Sequence, residues 1–305
     1  MGKIVGIGAA VFDILMTADR FPPEDTKLQG RETKLQCGGP CATALVAARK
    51  LGEEAAYLGT LGTDLYGSFI ARELEKYGVD IGRVRRLDGT SFHSFVLLNL
   101  SNTSRTCVWN RGNVPEPEER ELDLSLLRQA SFLHLDGNHL DFAILAAKKA
   151  RELGVPVSLD AGGTYPGIER LLQLVDILIP SEEFARKITG KENTQEAAQV
   201  LTERYAPKLL FITQGSRGGF RWAEGKAERY PVYPVEAVDS NGAGDTFHGA
   251  FLAGLCKGMA VMEAAAFASA TSALKCTRFG AQQGIPGYAE VLEFQKSHPG
   301  VIRDA

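Results

Sequence analysis

The sequence predicts an α/β protein of three layers, α/β/α, with a central, mostly parallel sheet and a small β-sheet lid. Three observations predict it. Short apolar strand-like runs alternate with helix-like stretches of roughly 10–15 residues, the signature of crossover units. The runs Val155–Leu159 and Leu209–Thr213 carry almost no polar residues, as expected for strands covered on both faces. Two stretches interrupt this rhythm without a crossover pattern of their own and read as a separate small sheet.

Taken in order, Ile4–Ile7 is an apolar run closed by Gly8. Cys41–Leu51 is Ala-rich at helical spacing, and Gly52 ends it. Ala55–Leu61 supplies the next strand and Gly67–Gly78 a helix with a glycine stop. Further on come the strand Phe132–Leu135, the helix Phe142–Leu153 stopped by Gly154, the strands Val155–Leu159 and Ile177–Ile179, the helix Ser181–Thr189 stopped by Gly190, and the strand Leu209–Thr213. His248–Lys257 is apolar and helix-like. The interruptions are Leu15–Lys34, polar and proline-containing, and the pair Phe95–Leu100 and Arg105–Asn110. That pair flanks Ser101-Asn102-Thr103-Ser104 and reads as a β-hairpin. The lid excursions therefore span about 11–35 and 89–112, and the acidic stretch from Pro115 reads as a solvated connection back to the main sheet.

The chain has 305 residues, 44% of them hydrophobic and 23% charged, which suits one domain over 1–305. Its 34 Lys and Arg against 37 Asp and Glu give a net charge of −3. A duplex-binding surface needs clustered positive charge, so no nucleic-acid partner is expected. No stretch is apolar for long enough to span a membrane. The cysteines Cys37, Cys41, Cys107, Cys256 and Cys276 are scattered without metal-ligand spacing and read as reduced thiols, so a cytoplasmic protein is expected.

The densest chemical signal is Val238-Asp239-Ser240-Asn241-Gly242-Ala243-Gly244-Asp245-Thr246-Phe247, running straight into the helix-like His248–Lys257. Small residues let backbone amides converge at a helix amino terminus, which favours an anion. Asp245 beside such a cradle suits a base that deprotonates a hydroxyl while the amides stabilise a transferring phosphoryl group. It also suits a plain helix cap. A second cluster, Cys37-Gly38-Gly39-Pro40-Cys41-Ala42-Thr43, opens the first helix. A third, Ile212-Thr213-Gln214-Gly215-Ser216, ends a buried strand, where ligands bind in open α/β sheets. Asp13, past the first strand, lies on the same edge. Neither a Gly-Lys-Ser/Thr phosphate loop nor a protein-kinase catalytic loop is present.

In this order, Gly8…Asp13, Gly38-Gly39, Thr213-Gln214-Gly215-Ser216 and Asp239…Gly242-Ala243-Gly244-Asp245, followed by Lys275-Cys276-Thr277-Arg278 and Gly280, the chain resembles the ribokinase, or PfkB-type, carbohydrate kinase family through nearly its whole length. The resemblance implies a ribokinase-like fold and an ATP- and Mg2+-dependent sugar kinase. By it, Asp245 is the catalytic base, and Gly242, Ala243 and Gly244 are the anion hole. Asp13, Gly38, Gly39 and Thr43 fall at sugar-side positions, and Ser181, Thr213 and Gly215 at nucleotide-side positions. Asp239, Asn241, Gly280 and Gly284 match loops that hold a monovalent cation, potassium, mostly through backbone carbonyls. It also implies a homodimer formed through the lid.

This sequence departs from the family pattern in two places. Thr43 stands where Asn is usual, and an Asn-x-x-Glu pattern becomes Ser181-Glu182-Glu183-Phe184, leaving Glu182 or Glu183 as acids for the hydrated magnesium. Several strings look most like the sulfofructose kinase branch, whose sulfonate clamp of Lys, Asn and Arg falls on Lys27, Asn110 and Asn138. The third position thus lacks the guanidinium fork that binds anions. Asp136-Gly137-Asn138 is similar to the ketohexokinase branch, which takes a neutral ketose. Arg111 could supply charge from another direction, and His93 and His139 could line the sugar pocket. The reading is a kinase for fructose or a fructose derivative at a primary hydroxyl. The alternatives are a sulfofructose or sugar-phosphate kinase, a nucleoside kinase gripping a base between lid aromatics (Phe12, Phe21, Phe92, Phe95, Trp109), and a non-enzymatic sugar sensor.

Overall fold

The computed structural model describes residues 2–102 and 104–303, so Thr103 of the expected hairpin turn lies outside the described residues. The first half of the chain runs β1 (Lys3–Ile7), β2 (Val11–Ala18), β3 (Thr33–Gly38), α1 (Pro40–Lys50), β4 (Glu54–Tyr57), β5 (Thr60–Gly62), α2 (Leu65–Lys76), β6 (Arg85–Leu87), β7 (His93–Asn99), β8 (Arg105–Asn110) and α3 (Leu124–Arg128). It continues with β9 (Phe132–Leu135), α4 (Leu140–Glu152), β10 (Val157–Ala161), α5 (Ile168–Leu172), β11 (Ile177–Pro180), α6 (Glu182–Thr189), α7 (Thr194–Tyr205) and β12 (Leu209–Thr213). The last elements are β13 (Gly219–Ala223), β14 (Lys226–Arg229), α8 (Ala243–Cys256), α9 (Val261–Cys276) and α10 (Tyr288–Ser297).

The central sheet has the order β14-β13-β12-β11-β10-β9-β1-β4. It is parallel from β4 to β12, and β13 and β14 extend it antiparallel. Alternate residues of each strand enter opposite layers. Ile4, Ile177 and Phe211 pack into one core with Leu45, Phe251 and Phe267 of α1, α8 and α9. Val5, Leu178 and Ile212 pack into the other, with Phe142 and Phe184 of α4 and α6. This is the two-residue period of a strand buried on both faces, and it produces the three layers expected.

The lid is a four-stranded sheet, β3-β2-β7-β8. The β7–β8 pair is the expected antiparallel hairpin. The excursion at Leu15–Lys34 is more ordered at its ends than its polar composition suggests: β2 runs to Ala18 and β3 begins at Thr33. The apolar run Ala55–Leu61 is broken in two, and β5 leaves the main sheet to pair with β6. Helix α2 begins two residues before the glycine that appeared to open it, because Asp64 caps it by accepting from the Gly67 amide at 2.9 Å.

One contact governs where the site forms. Helices α1 and α8 both start at the carboxyl edge of the sheet, and they pack through Gly249. A side-chain carbon there would collide with the Ala44 carbonyl oxygen and lie 2.8 Å from Ala47 Cβ. Glycine thus sets the spacing between the Gly38-Gly39 turn and the Gly242–Asp245 turn. Among the described residues, no helix is long and apolar enough to cross a membrane, and the five cysteines are free.

Candidate active site

Gly242 caps α8 in a left-handed conformation, φ 76°, and no side chain caps the helix. Its turn is wedged in place: a Cβ on Gly242 would lie 3.0 Å from Ala281 Cβ and 3.4 Å from Thr43 Cγ2. Gly244, one residue inside the helix, has open space where its side chain would be. The Ala243 amide donates to the Ser240 carbonyl at 3.2 Å, and the amides that follow it, of Gly244 and Asp245, stand at the positive end of the helix dipole. That is a cradle shaped for an anion. Asp245 is the third helical residue, and no hydrogen bond ties its carboxylate to the helix backbone, so the plain capping role is not realised.

Acidic groups surround that carboxylate. Burial, followed by the nearby Asp160, pushes Asp245 up to about 7; His248 and Arg105 pull the other way, while Asp136 adds to the rise. Burial also raises Asp13 to about 6, against a hydrogen bond in which Ser94 Oγ donates to Asp13 Oδ1 at 2.6 Å. Asp13 lies within β2, and its carboxylate fills the space a side chain on Gly38 would need. Gly39, φ 94°, allows the turn to pass the Ala9 carbonyl oxygen, which a Cβ would approach to 2.5 Å. Beneath these turns, Asp136 Oδ2 accepts from the amides of Ala9 and Cys41 at 2.8 and 3.1 Å, and Oδ1 accepts from the Asn138 amide at 2.9 Å. One buried carboxylate thus pins the ends of β1, β9 and the start of α1.

Two cavities open on this molecule, and the Asp245 turn borders the larger. One is an apolar groove of about 360 Å3 whose walls include Thr213, Gly215, Val235, Ala243, Gly244 and Phe247. The other, about 170 Å3, is lined by Ala10, Phe92, Arg111, Glu116, Asn138 and His139 among others. In it Arg111 Nη2 donates to Asn138 Oδ1 at 2.8 Å, and the guanidinium lies 5.6 Å from the centre of the Tyr165 ring. The His139 hydrogen bond, outweighing burial, lowers Glu116, and Arg111 contributes to the same end. Glu116 thus lines this cavity and Thr60 Oγ1 donates to the Pro115 carbonyl at 2.7 Å, while Glu118, Glu119 and Arg120 are exposed, as a solvated connection requires.

Several expected site residues are brought together and others are not. Thr213, Gly215, Ala243 and Gly244 line the groove, Asn138 lines the smaller cavity, and the Asp13 carboxylate lies against Gly38 as Thr43 lies against Gly242. Thr43 is buried and accepts from Gln282 Nε2 at 3.5 Å, a packing role under the Gly242 turn. Lys27 is exposed on the segment between β2 and β3. Asn110 turns back to accept from the Gly112 amide at 2.8 Å. Neither of these two positions of the expected sulfonate clamp lines either cavity. His93 is held by the Ser91 carbonyl at 2.9 Å and packs on Tyr66. Ser181 caps α6 by accepting from the Phe184 amide at 3.1 Å, and Phe184 is core. Glu182 is bound by Arg186, Arg217 and Gln214 and is not free for a metal ion. Glu183 sits on the first turn of α6 without an ion pair among the described residues.

The sequence reading missed Asp160 and Arg105, and it named Asp136 and Lys275 only within family strings, without a role. Asp160, near the end of β10, lies 3.3 Å from His248 Nε2; burial raises it, but His248, His134 and the Gly162 amide together outweigh burial and hold its carboxyl below the ordinary range. Its one signal was an acid in an otherwise apolar strand. Arg105, at the start of β8, crosses from the lid to donate to Asn241 Oδ1 at 3.1 Å. No spacing in the sequence announces that contact, which exists only once the lid is folded over the sheet edge.

The family model for pfkB family carbohydrate kinases matches residues 1–287. A ribokinase of Haemophilus influenzae is 28% identical over 297 residues, covering 94% of this chain and 96% of that protein. A fructokinase of Klebsiella pneumoniae is 30% identical over 311 residues, covering 93% and 96%. Arabidopsis thaliana ribokinase, solved as a complex with ribose and ATP, superposes with a TM-score of 0.85 at 29% identity, covering 97% and 99% of the two chains.

Proposed function

The chain belongs to the pfkB family of carbohydrate kinases, and from that premise we propose that it transfers the γ-phosphoryl group of ATP to the primary hydroxyl of a free, uncharged sugar, ribose or fructose. The observation that carries this reading is the position of Asp245: an acid raised to about 7, in the first turn of an uncapped helix whose neighbouring residues Ala243 and Gly244 line an apolar groove. The groove, with Phe247 and Val235 in its walls, suits a nucleobase, and its Ala243-Gly244 end suits the phosphates. The cavity between Ala10, Asn138 and Arg111 suits sugar hydroxyls.

In the reaction, Asp245 accepts the proton of the attacking hydroxyl as the new O–P bond forms. The bond between the γ-phosphorus and the bridging oxygen breaks, and ADP leaves with that electron pair. The amides at the start of α8 stabilise the charge on the transferring group. Magnesium would be carried by the ATP phosphates and water, as that ion commonly is; among the described residues no cluster of three metal-ligating side chains is present.

An uncharged sugar fits best because the one guanidinium in the cavity, Arg111, already faces Glu116 and Asn138, while Lys27 and Asn110 lie elsewhere. A nucleoside fits poorly. Phe12 is stacked on Tyr66 at 4.6 Å within the core, Phe21 is exposed, and Phe92 and Trp109 meet each other at 5.7 Å, leaving no open slot between them. The test is ADP release with ribose, fructose, fructose 6-phosphate, sulfofructose and adenosine. Ribose or fructose should exceed the anionic sugars by about ten- to a hundredfold in kcat/KM, the worth of one charge-assisted contact. Preference for an anionic sugar or adenosine would overturn the reading. Binding without turnover of any of them would leave a sensor.

The pH dependence follows from the same acid. With Asp245 titrating at about 7, kcat/KM should fall about tenfold per unit as pH drops below that value, because the protonated acid cannot accept the hydroxyl proton. A limb centred near an ordinary carboxylate value would remove Asp245 as the base.

A second copy of this chain is the partner proposed for the lid. Leu35, Ile14, Phe95 and Val108 stand opposite one another across β3, β2, β7 and β8, on the face away from Asp13 and Ser94. Leu35, Phe95 and Val108 are 54%, 56% and 69% exposed. Such a row is an interface in search of a cover. The double variant Phe95→Asp, Val108→Asp should sediment as a monomer while the parent sediments as a dimer; a monomeric parent would refute this.

A further inference from the structure

The family resemblance places a monovalent cation among backbone carbonyls of the segments around Asp239–Asn241 and Gly280–Gly284. Several carbonyls in and beside these segments are already engaged by N–H donors. Lys275, in the last turn of α9, is completely buried, and its Nζ donates to the Asp239 carbonyl at 2.8 Å. The neighbouring Cys276 carbonyl accepts from the amides of Val238 and Asp239 at 2.8 and 3.1 Å, and the Gly280 carbonyl accepts from the Gly284 amide at 3.1 Å. On the far side, Lys50 at the end of α1 donates from one Nζ to three carbonyls, those of Gln282, Gln283 and Ile285, at 3.0, 3.0 and 2.7 Å. The donor set does not fit a free ion.

We propose that the ammonium groups of Lys275 and Lys50 take the place of a monovalent cation, so that this enzyme works at full rate without potassium. An ammonium and a potassium ion carry the same charge, are similar in size and satisfy carbonyl oxygens equally. A second cation placed beside Lys275 would meet strong repulsion at low dielectric. The arrangement also explains how the anion cradle keeps its shape. Asp239 Oδ2 accepts from the Gly280 amide and Oδ1 from the Asn241 amide, both at 2.8 Å, so its carboxylate clamps the two loops while Lys275 holds its carbonyl from below. The Gly242 turn is the direct continuation of that clamp. Burial works against the charge on Lys275, and Asp239, Cys276 and Asp245 work for it. Lys275 is thus a positioning residue, acting on the α8 amides through Asp239.

This inference rests on the proposed kinase reading, and the test separates the two. Steady-state rates and the dissociation constant of a non-hydrolysable ATP analogue are measured in potassium chloride and in choline chloride at equal ionic strength. The parent should give the same values in both. Lys275→Met should lose about ten- to a hundredfold in analogue affinity and kcat in choline, the worth of a charge-assisted hydrogen bond, and recover much of it in potassium or ammonium chloride. A parent that needs potassium for turnover or analogue binding overturns the proposal, as does a Lys275→Met variant that behaves like the parent in choline. If Lys275→Met fails to fold, the parent's two salt series decide the question alone. If no sugar is phosphorylated, the kinase reading fails, and analogue binding still reports on the ion.

Discussion

Asp245→Asn is expected to lower kcat by about 10²–10⁴-fold, the usual worth of a positioned general base, while the dissociation constants for sugar and ATP analogue change by only a few-fold. Asparagine keeps the shape of the carboxylate and cannot accept the hydroxyl proton. Rapid-quench turnover alongside calorimetric titration separates the two quantities, and a variant that keeps most of its turnover would remove Asp245 from the chemistry. The same substitution should raise thermal stability at alkaline pH. The folded-state pKa of Asp245, about 7, lies above the ordinary carboxylate value of 3.8. Its contribution is therefore fully present below the unfolded value and is lost as pH rises through the folded one. Above about 7 the fold carries an unfavourable buried charge that asparagine removes. Asp245→Asn should accordingly melt above the parent at pH 8, with the gap closing toward pH 4. A catalytic group held at a cost to stability is a common trade.

Gly249→Val should damage the protein more broadly, through the spacing of α1 and α8. A Cβ at this position collides with the Ala44 carbonyl oxygen and sits 2.8 Å from Ala47 Cβ. Both are backbone or backbone-bound atoms in the middle of a buried helix, so neither can swing aside. The helices must separate, at a cost of about 1–3 kcal/mol for overpacking. Both helices carry active-site turns at their starts, so the Gly39 and Gly242 turns would be displaced relative to each other. Misplacement of about 1 Å in a reacting pair can cost about 10²-fold in rate. The expected result is a lower melting temperature together with a kcat loss out of proportion to the fraction unfolded. Normal kcat in a destabilised variant would show that the turns keep their spacing without this contact.

Much of the fold was legible in the residues. Val155–Leu159 and Leu209–Thr213 could be read as strands covered on both sides because nothing in them could face water, and glycines at 52, 154 and 190 marked helix ends. The boundaries that were misplaced share a cause. Asp64 caps α2 earlier than its apolar pattern begins, and β5 departs from the run Ala55–Leu61 because a partner strand, β6, draws it away. Apolar pattern reports burial, whichever sheet provides it.

The active site divides the same way. Gly-Ala-Gly-Asp and the paired glycines announce a helix-start anion cradle with an acid in it, since small residues and helix position are local properties. Remote partners decided the rest. Asp136 pins three elements, Arg105 reaches Asn241 from the lid, and Lys275 takes the Asp239 carbonyl. Lys27 and Asn110 had the right chemistry for a sulfonate, and neither lines a cavity. The sequence by itself determined a layered α/β chain, its family and the acid proposed to do the chemistry, because periodicity and turn chemistry are written in neighbouring residues. Only the tertiary structure decided which charges meet in the pocket and what holds its floor, because hydrogen bonds and ion pairs between distant segments depend on a spacing that no local pattern encodes.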